Sequence, residues 1–386
     1  MKPLRVLMLG RYGLMEVGGG DKIQIENTAS ELRKLGVDVE IKTNLDFNPH
    51  DYDIVHAFQL DWTPEIYLYA KKVHDAKNVP LVLSPIHHIV SEVKKFDDVY
   101  VFDYRRVARL LFKDQFHRDV FKNVYRSITS WEKLKPTLFS IFYGFKKMLG
   151  DTLKMADVTL VQTEVEAQDL IATYNLDLKW TKVVNGVGDV FINLQSLKNP
   201  FNFEDYIICV GRIEPRKNQL SVIKAVSQLR TETGKDYQLV LVGKKGGYKH
   251  MEYNYYFNRA LKENPWIHHI QQVPYTTMPS YYRFAKVCVS ASWFESTGLT
   301  SLEALYCGTN AVASGDCAKE YLGDLATYCL PDDISSIKEA IKQEFVRSRP
   351  IISDTIKEEY TWKRAAEQTL AVYKSFVLSG DASHDD

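Results

Sequence analysis

Short strand-like runs alternate with helix-like runs along most of the 386-residue chain. In the first half, a helix is predicted over 22–35, where apolar residues recur at helical spacing. The predicted strands are 6–9, 37–42, 54–58, 81–84, 158–162 and 182–184, followed in the second half by 207–210, 238–242, 267–271, 287–290 and 310–313. This alternation is typical of parallel sheets covered by helices, and the length suffices for two α/β domains.

The loose stretch 185–200 separates the two series and marks the predicted domain boundary. We therefore expect an N-terminal domain over 1–188 and a second domain over 189–360. A final helix over 361–378 is expected to pack back on the first domain, and the polar tail 379–386 is expected to be disordered.

The stretch 96–150 interrupts the α/β rhythm and is mostly compatible with helix. It carries eleven basic residues against six acidic ones, with phenylalanines interleaved among them. One interpretation is an amphipathic surface that contacts anionic lipid or a lipid-linked acceptor. The other is a helical layer that packs on the sheet and leaves its basic face in water.

Composition excludes several classes of protein. Lysine and arginine number 49, as do aspartate and glutamate, so no global field favours nucleic acid. Five cysteines without a C-x-x-C pair are typical of buried thiols in a reducing compartment. No apolar run approaches the roughly 18 residues that span a bilayer. The N-terminal apolar run stops at Arg11 and predicts a first strand, so a cytosolic protein is expected.

Two carboxylates, Glu295 and Glu303, bracket a loop of small residues that opens a predicted helix. The loop follows a predicted strand, and the backbone N–H groups of a helix's first turn form an anion site. Carboxylates beside an anion site suit the hydroxyl groups of a sugar or ribose attached to a phosphate. The pattern predicts a ligand that is part phosphate and part polyol, such as a nucleotide sugar.

The second domain opens with a strand that ends at Gly211, followed by Arg212 and, five residues later, by Lys217. Glycine allows the backbone to approach a ligand, arginine offers a planar fork and lysine adds a point charge. The carboxyl edge of a parallel sheet is where such folds bind ligands. These cations therefore predict a site for a diphosphate, whose negative charge grows as it leaves.

The order Gly211-Arg212, Lys217 and then Glu295-x7-Glu303 resembles the retaining nucleotide-sugar glycosyltransferases of family 4. Val242-Gly243 and Pro279-Ser-Tyr-Tyr resemble further motifs of that family. The resemblance implies the GT-B fold, in which two Rossmann-like domains face each other across a deep interdomain cleft. It also implies catalysis without a metal or other cofactor, and no Asp-x-Asp metal signature stands out.

The first half is consistent with this resemblance. The run Gly18-Gly-Gly20, before the predicted helix, resembles the family's glycine loop, which implies that Gly19 and Gly20 bind the donor phosphate. No G-x-G-x-x-G follows the first strand, which disfavours a dinucleotide site. A histidine after the strand 81–84 is implied to contact the donor sugar. Position favours His87, but the doublet leaves His88 open, and His56 is either structural or part of the site.

The resemblance assigns the other roles residue by residue. Glu303 would bind the ribose hydroxyls, and Glu295 the donor-sugar hydroxyls. Arg212 and Lys217 would hold the diphosphate. The residues implied to join them are Ser296, Thr297, Gly298 and Leu299 by their amides, Gly211 by its close approach, and Val273 facing the base. The chain departs from the family at Asn185-Gly-Val-Gly-Asp189, where Gly188 displaces the acid by one position.

The expected function is transfer of a sugar from a UDP- or GDP-linked donor, with retention, to the hydroxyl of a glycan, glycolipid or other acceptor. Surface polysaccharide or glycolipid synthesis on the inner face of a membrane is the usual setting for the family. Two alternatives remain at this stage. One is a GT-B epimerase or phosphorylase-like enzyme, and the other is a non-catalytic subunit that binds the nucleotide sugar.

Overall fold

The computed structural model describes residues 3–17, 19–61, 64–99, 102, 105–127, 131–194, 196–247 and 250–381. The chain divides into two compact units. The first unit comprises Met1–Val90, Ala108–Gly186 and Tyr360–Asp386, and the second comprises Ser91–Val107 and Val187–Glu359. The predicted boundary at 188/189 lies two residues from the division at Gly186/Val187.

Both units are built on parallel strands. Along the chain these are β1 (Arg5–Leu9), β2 (Asp38–Lys42), β3 (Ile54–Phe58), β4 (Leu81–Ser84), β5 (Val158–Val161), β6 (Trp180–Lys182), β7 (Tyr206–Val210), β8 (Leu239–Val242), β9 (Ile267–Ile270), β10 (Ala285–Val289), β11 (Asn310–Ala313) and β12 (Ala326–Tyr328).

Helices connect the strands in both units. They are α1 (Leu14–Val17), α2 (Gly20–Lys34), α3 (Glu65–Ala76), α4 (Val90–Val99), α5 (Arg105–Leu111), α6 (Gln115–Ser127), α7 (Trp131–Tyr143), α8 (Phe145–Met155), α9 (Glu164–Tyr174), α10 (Asp189–Ile192), α11 (Gln219–Thr233), α12 (Met251–Glu263), α13 (Met278–Arg283), α14 (Leu299–Tyr306), α15 (Asp316–Leu322), α16 (Ile334–Val346), α17 (Asp354–Glu359) and α18 (Trp362–Asp381).

Within the described residues, each unit holds one six-stranded sheet whose paired strands all run parallel. The strand order is β2-β1-β3-β4-β5-β6 in the first unit and β12-β11-β10-β7-β8-β9 in the second. In each sheet, successive strands are added first on one side and then on the other. This switch lies between β1 and β3 in the first sheet and between β7 and β10 in the second. The prediction of two Rossmann-like α/β domains is confirmed.

Helix α18 packs on α2 in the first unit, where Trp362, Ala366 and Tyr373 share a hydrophobic cluster with α2 residues such as Ile25. The hydroxyl of Tyr373 lies 2.7 Å from Nδ1 of His56, whose Nε2 lies 2.8 Å from Oγ of Ser84. Burial lowers the pKa of His56 to about 3, so the ring is neutral. These contacts favour the structural interpretation of His56.

The stretch 91–107 groups with the second unit, although the sequence assigned it to the first domain. Phe96 packs against Trp293 and Phe294, and Phe102 meets Tyr253 edge-on. These aromatic contacts join residues about 150 to 200 positions apart, which spacing along the chain does not predict.

Two further elements differ from the prediction. Strand β12 was not predicted, because three residues are too short to show the two-residue alternation of a strand. Helix α18 continues to Asp381, although a disordered tail was expected from Ser379. Residues 382–386 of that tail lie outside the described residues. None of the described helices is both long and apolar enough to cross a membrane.

Candidate functional site

The carboxyl ends of β7 and β10 lie side by side where the second sheet reverses its strand order. Chain segments leave the sheet in opposite directions at such a point, which opens a crevice for ligands. The residues after β7 are Gly211 and Arg212, and those after β10 lead to Glu295. The two motifs singled out in the sequence therefore meet at this edge.

Glycine is required at two strand ends here. Gly211 has φ 146° and Gly243, after β8, has φ 151°, which are conformations that residues with a side chain rarely adopt. A Cβ on Gly243 would overlap the carbonyl oxygen of Gly211. A Cβ on Gly211 would lie 3.4 Å from Cε of Lys217. The two glycines allow the backbones to approach closely and leave room for the lysine.

A 3₁₀ turn over Pro215–Lys217 presents Lys217 to the loop after β10. Asn218 follows in the left-handed conformation, and its side-chain amide donates to the carbonyls of Ala291 (3.1 Å) and Pro331 (2.7 Å). The N–H of Trp293 donates to the carbonyl of Arg216 at 2.9 Å. These bonds fix the β7 turn against the β10 loop.

Lys217 and Glu295 form a direct ion pair between Nζ and Oε1. Nη1 of Arg216 lies 3.7 Å from the other carboxylate oxygen, and its guanidinium lies 5.4 Å from the ring centroid of Phe294. Each side chain of the Lys217–Glu295 pair keeps 16% of its surface exposed. A solvated ligand can therefore reach the pair.

Glu295 is ionised at neutral pH. Burial by itself would raise the pKa of its carboxyl, but Lys217 and Arg216 outweigh that effect and lower the pKa to about 2. An ionised carboxylate only accepts hydrogen bonds, which suits hydroxyl donors.

Arg216 was not predicted as a site residue. Glu214 lies 3.3 Å from Nε of Arg216 and 3.6 Å from Nη2 of Arg212, so it links the two arginines. Arg212 keeps 54% of its side chain exposed, whereas Arg216 is largely covered. The alternation of acid and base over 212–217 was the available signal, but the sequence does not say which of the cations turns inward.

The loop 296–298 leads into α14, whose first-turn N–H groups lack partners within the helix. Ser296 and Leu299 are half-buried, whereas Thr297 is buried. A Cβ on Gly298 would lie 2.9 Å from Cδ1 of Leu322, so a side chain there would displace that leucine. The loop follows Glu295 directly in the chain, so it lies beside the Lys217–Glu295 pair at the sheet edge.

Glu303 lies on α14 and accepts hydrogen bonds at 3.1 Å from the hydroxyls of both Tyr275 and Tyr282. Burial raises the pKa of its carboxyl to about 7, although the two hydroxyls offset part of the effect. Val273 lies three residues after β9 and two before Tyr275, and it is half-buried. Val273, predicted to face the base, thus lies two residues from a tyrosine that donates to Glu303, the predicted ribose residue.

In the first unit, α2 begins at Gly20, two residues earlier than predicted. Gly19 has φ 156°, and a Cβ there would overlap Oδ1 of Asp21. The other carboxylate oxygen of Asp21 lies 2.5 Å from Nε of Arg11. A Cβ on Gly20 would meet nothing within 4 Å. Steric need for glycine is therefore limited to Gly19, and Gly18 lies outside the described residues.

His87 is buried between two carboxylates of the first unit. Its Nδ1 lies 2.7 Å from Asp61 and its Nε2 lies 2.8 Å from Asp169. The second oxygen of Asp61 accepts from the N–H of His88 at 2.7 Å and lies 3.1 Å from Nδ1 of His88. Glu166 accepts from the N–H of His87 at 2.7 Å.

The imidazole of His87 is held as a cation. Burial by itself would lower its pKa, but Asp61 and Asp169 outweigh that effect and raise the pKa to about 10. Both ring nitrogens then donate to protein carboxylates. Asp61, Asp169 and Glu166 were not predicted, because they follow other strands or lie on α9, and no sequence spacing links them to the histidines.

The described residues contain no group of three or more histidine, cysteine, aspartate or glutamate side chains suited to hold a metal ion. All five cysteines are buried, as predicted, and burial raises the pKa of Cys209 to about 12, so its thiol is protonated.

Sequence comparison identifies the second unit's domain. Residues 195–349 match the family model described as Glycosyl transferases group 1. The O-antigen chain mannosyltransferase B of Escherichia coli is 29% identical over 181 residues, which cover 45% of this chain and 46% of that protein. A D-inositol 3-phosphate glycosyltransferase of Kribbella flavida is 27% identical over 252 residues, covering 59% of each chain. The chain thus matches about half the length of these curated relatives.

Solved structures share the fold over nearly the whole chain. Sucrose-phosphate synthase from Thermosynechococcus elongatus superposes with a TM-score of 0.70 at 15% identity, covering 97% of this chain and all of that one. HepE from Anabaena, solved in complex with UDP and glucose, superposes with a TM-score of 0.60 at 14% identity over 98% of this chain and all of that one. The chain therefore has the GT-B fold, and residues 195–349 are similar to the glycosyl transferases group 1 family.

Proposed function

We propose that the protein is a retaining, metal-independent glycosyltransferase of family 4. It moves a sugar from a UDP- or GDP-linked donor to a hydroxyl acceptor in surface polysaccharide or glycolipid synthesis. The observation that carries this proposal is the solvent-accessible pair of Lys217 with ionised Glu295 at the strand switch of a glycosyl transferases group 1 domain. It joins a cation for phosphate to an acceptor for hydroxyls.

Charge assigns the donor's parts to these groups. Lys217 and Arg212 bind the diphosphate together with first-turn amides of α14, where the helix dipole favours an anion. Arg216 keeps Glu295 ionised, so that Glu295 accepts from donor-sugar hydroxyls. Glu303 accepts from the ribose hydroxyls, which compete with the hydroxyls of the two tyrosines that it now binds.

The reaction proceeds on one face of the donor sugar. The acceptor oxygen bonds to the anomeric carbon as the bond from that carbon to the diphosphate oxygen breaks. The acceptor's proton passes to the leaving diphosphate. Negative charge grows on the diphosphate in the transition state, so Lys217 and Arg212 lower the barrier by stabilising that charge. Positioning of the two substrates supplies the rest.

The setting is the cytoplasmic side of a membrane whose lipids carry the acceptor. The Escherichia coli relative, named as an O-antigen chain mannosyltransferase, supports a polysaccharide product. The similarity to these relatives does not determine which base or sugar this protein's donor carries, because the shape of the binding pocket selects both.

A panel of nucleotide sugars tests the proposal. We expect one UDP- or GDP-linked donor to raise the melting temperature, since a ligand that binds only the folded state stabilises it by mass action. With that donor and a hydroxyl acceptor, NMR should show a product with the donor's anomeric configuration, formed equally well with a chelator present.

Three results would each replace the proposal. An inverted product contradicts retention. A donor that is epimerised or consumed without acceptor favours an epimerase or phosphorylase-like enzyme. Stabilisation by a donor with no turnover of any acceptor or donor favours the binding subunit.

A further inference from the structure

Helix α7 of the first unit has reversed polarity. Its buried positions include the polar Thr137 and Ser140, with 2% and no exposure, and the Ser140 hydroxyl donates to the Thr137 carbonyl at 2.7 Å. Three outward-facing side chains are Leu138 (46% exposed), Ile141 (45%) and Phe142 (87%), which we call the α7 face. They recur at three- and four-residue spacing and so lie on one side of the helix. A water-facing helix normally shows the opposite arrangement.

The neighbouring helix α6, which packs on α7, also buries polar side chains. Its buried positions include Arg118, Asp119 and Lys122, and Nζ of Lys122 lies 2.9 Å from Asp119. Val124, by contrast, is exposed. Burial of charged residues is costly unless they are paired. Polar side chains of α6 and α7 nevertheless point to the inside of this pair of helices. Burial of polar side chains is thus a feature of both helices, whereas α6 exposes the polar His117 (70%) as well as Val124.

The next helix, α8, has ordinary polarity and supplies charge. It buries Phe145 and Met148 and exposes Lys146 and Lys147, which lie over the rings of Phe116 and Tyr143 at 5.3 and 4.4 Å. Lys135 on α7 is also exposed. Lysines therefore flank the α7 face in the chain on both sides.

We propose that the α7 face docks on the surface of an anionic lipid bilayer. This docking would be the membrane contact of the proposed glycosyltransferase, so its biological setting rests on the proposed function. Leu138, Ile141 and Phe142 enter the boundary between headgroups and acyl chains, where an amphipathic helix lies in the plane of the membrane. Lys135, Lys146 and Lys147 remain at the level of the anionic headgroups.

Charge favours lipid over a second copy of the chain. In a symmetric dimer the same patch of each subunit meets its counterpart. The lysines flanking one α7 face would then approach the lysines of the other, and like charges across an interface repel. Anionic headgroups complement the same lysines.

Sedimentation with vesicles tests the proposal. The full chain is mixed with vesicles of phosphatidylglycerol and phosphatidylcholine in equal amounts, and with phosphatidylcholine alone. We expect binding to the anionic vesicles that weakens with added salt. The double variant Leu138→Gln/Phe142→Gln should bind at least about tenfold more weakly, because the apolar area that enters the membrane is lost. Lys146→Glu/Lys147→Glu should also bind more than tenfold more weakly, at about fivefold per lysine.

The matched control is Ile351→Gln, which changes an isoleucine that is 95% exposed in the second unit and should leave vesicle binding unchanged. All variants are checked for folding by the rise in melting temperature that the donor nucleotide causes. A normal rise with lost vesicle binding supports the α7 face, whereas failure of the rise in the wild type bears on the proposed function alone.

Equal vesicle binding by wild type and Leu138→Gln/Phe142→Gln would overturn the proposal, as would no binding by folded wild type. A concentration-dependent dimer that the double variant abolishes would assign the α7 face to a second copy instead. Binding to phosphatidylcholine as tight as to anionic vesicles would remove the role of the lysines.

Discussion

Each unit places a cation–carboxylate cluster at the carboxyl edge of its sheet, but the two clusters differ in access to solvent. In the second unit, Lys217 and Glu295 each keep 16% of their side-chain surface exposed. In the first unit, His87 keeps 2% and is bonded on both ring nitrogens by Asp61 and Asp169. The half-buried pair can exchange one partner for a ligand, whereas the buried imidazolium has both donors occupied.

A charged residue after a strand therefore does not by itself identify a ligand contact. The same family resemblance implied donor-binding roles for both His87 and Lys217. In the structure, His87 lies in the loop after β4 and contacts Asp61 in the loop after β3 and Asp169 on α9. Its described contacts therefore hold these three segments together. Its predicted contact with the donor sugar stays a prediction, and the following variants separate a binding role from a positioning role.

The largest effect is expected from Asp61→Asn, which removes the charge that holds His87 as a cation. Breaking a buried ion pair by changing one partner costs about 3 kcal/mol at the lower end of the usual range, which applies here because Asp169 still pairs with the ring. Urea unfolding should therefore show a free energy of unfolding lower by about that amount. If Asp61 only positions the loops, the melting-temperature rise caused by UDP or GDP should persist.

The pH dependence of the wild type provides the check. The folded pKa of His87, about 10, lies above its ordinary value of 6.5. Its stabilisation is therefore fully present below pH 6.5 and is lost as the pH rises through about 10. The difference in unfolding free energy between wild type and Asp61→Asn should shrink across this range. A difference that does not change with pH would contradict the imidazolium assignment.

The second largest effect is expected from Lys217→Ala, in the half-buried Lys217–Glu295 pair of the second unit. Transfer should fall by about 10²-fold, the scale of losing one group that stabilises transition-state charge. The melting temperature without ligand should fall by less than in Asp61→Asn, because Arg216 still faces the half-buried Glu295. Initial rates and thermal unfolding measure the two quantities.

Lys224→Ala is the matched control, since Lys224 is an exposed lysine on α11. It should retain full turnover. Near-normal turnover in a folded Lys217→Ala protein would remove Lys217 from the diphosphate site. In that case Lys217→Ala and Asp61→Asn would not show that one cluster binds the donor and the other positions the loops.

The smallest effect concerns Glu303, whose pKa of about 7 makes its charge variable near neutrality. Ribose hydroxyls donate to the ionised carboxylate, so ionisation favours binding. Affinity for UDP or GDP should therefore rise by about tenfold from about pH 6 to pH 8, as the carboxyl loses its proton. Isothermal titration calorimetry at several pH values measures the change.

Glu303→Gln separates this titration from that of the nucleotide's own phosphate. The variant should bind more weakly at about pH 8 and show a flatter pH profile. A profile as steep as that of the wild type would remove the ribose role from Glu303.

Much of the fold followed from the sequence, because strands and helices leave periodic apolar patterns that do not depend on distant residues. The strands that precede Gly211 and Glu295 were predicted within one or two residues of their observed bounds. The pattern failed for β12, which is too short to show a period, and for 91–107, whose grouping depends on aromatic contacts with residues far along the chain.

The sequence also determined which chemical groups reach the carboxyl edge of the second sheet. Gly211 directly follows a strand, and Lys217 and Glu295 lie in the loops after strands, whose positions local patterning fixes. Parallel strands bring their carboxyl ends to one edge. Tertiary structure alone decided how those groups are paired and how far they are exposed. Arg216 lies beside Glu295, His87 lies between Asp61 and Asp169, and α7 turns its apolar side outward, because pairing, burial and pKa depend on atoms that are distant in the chain.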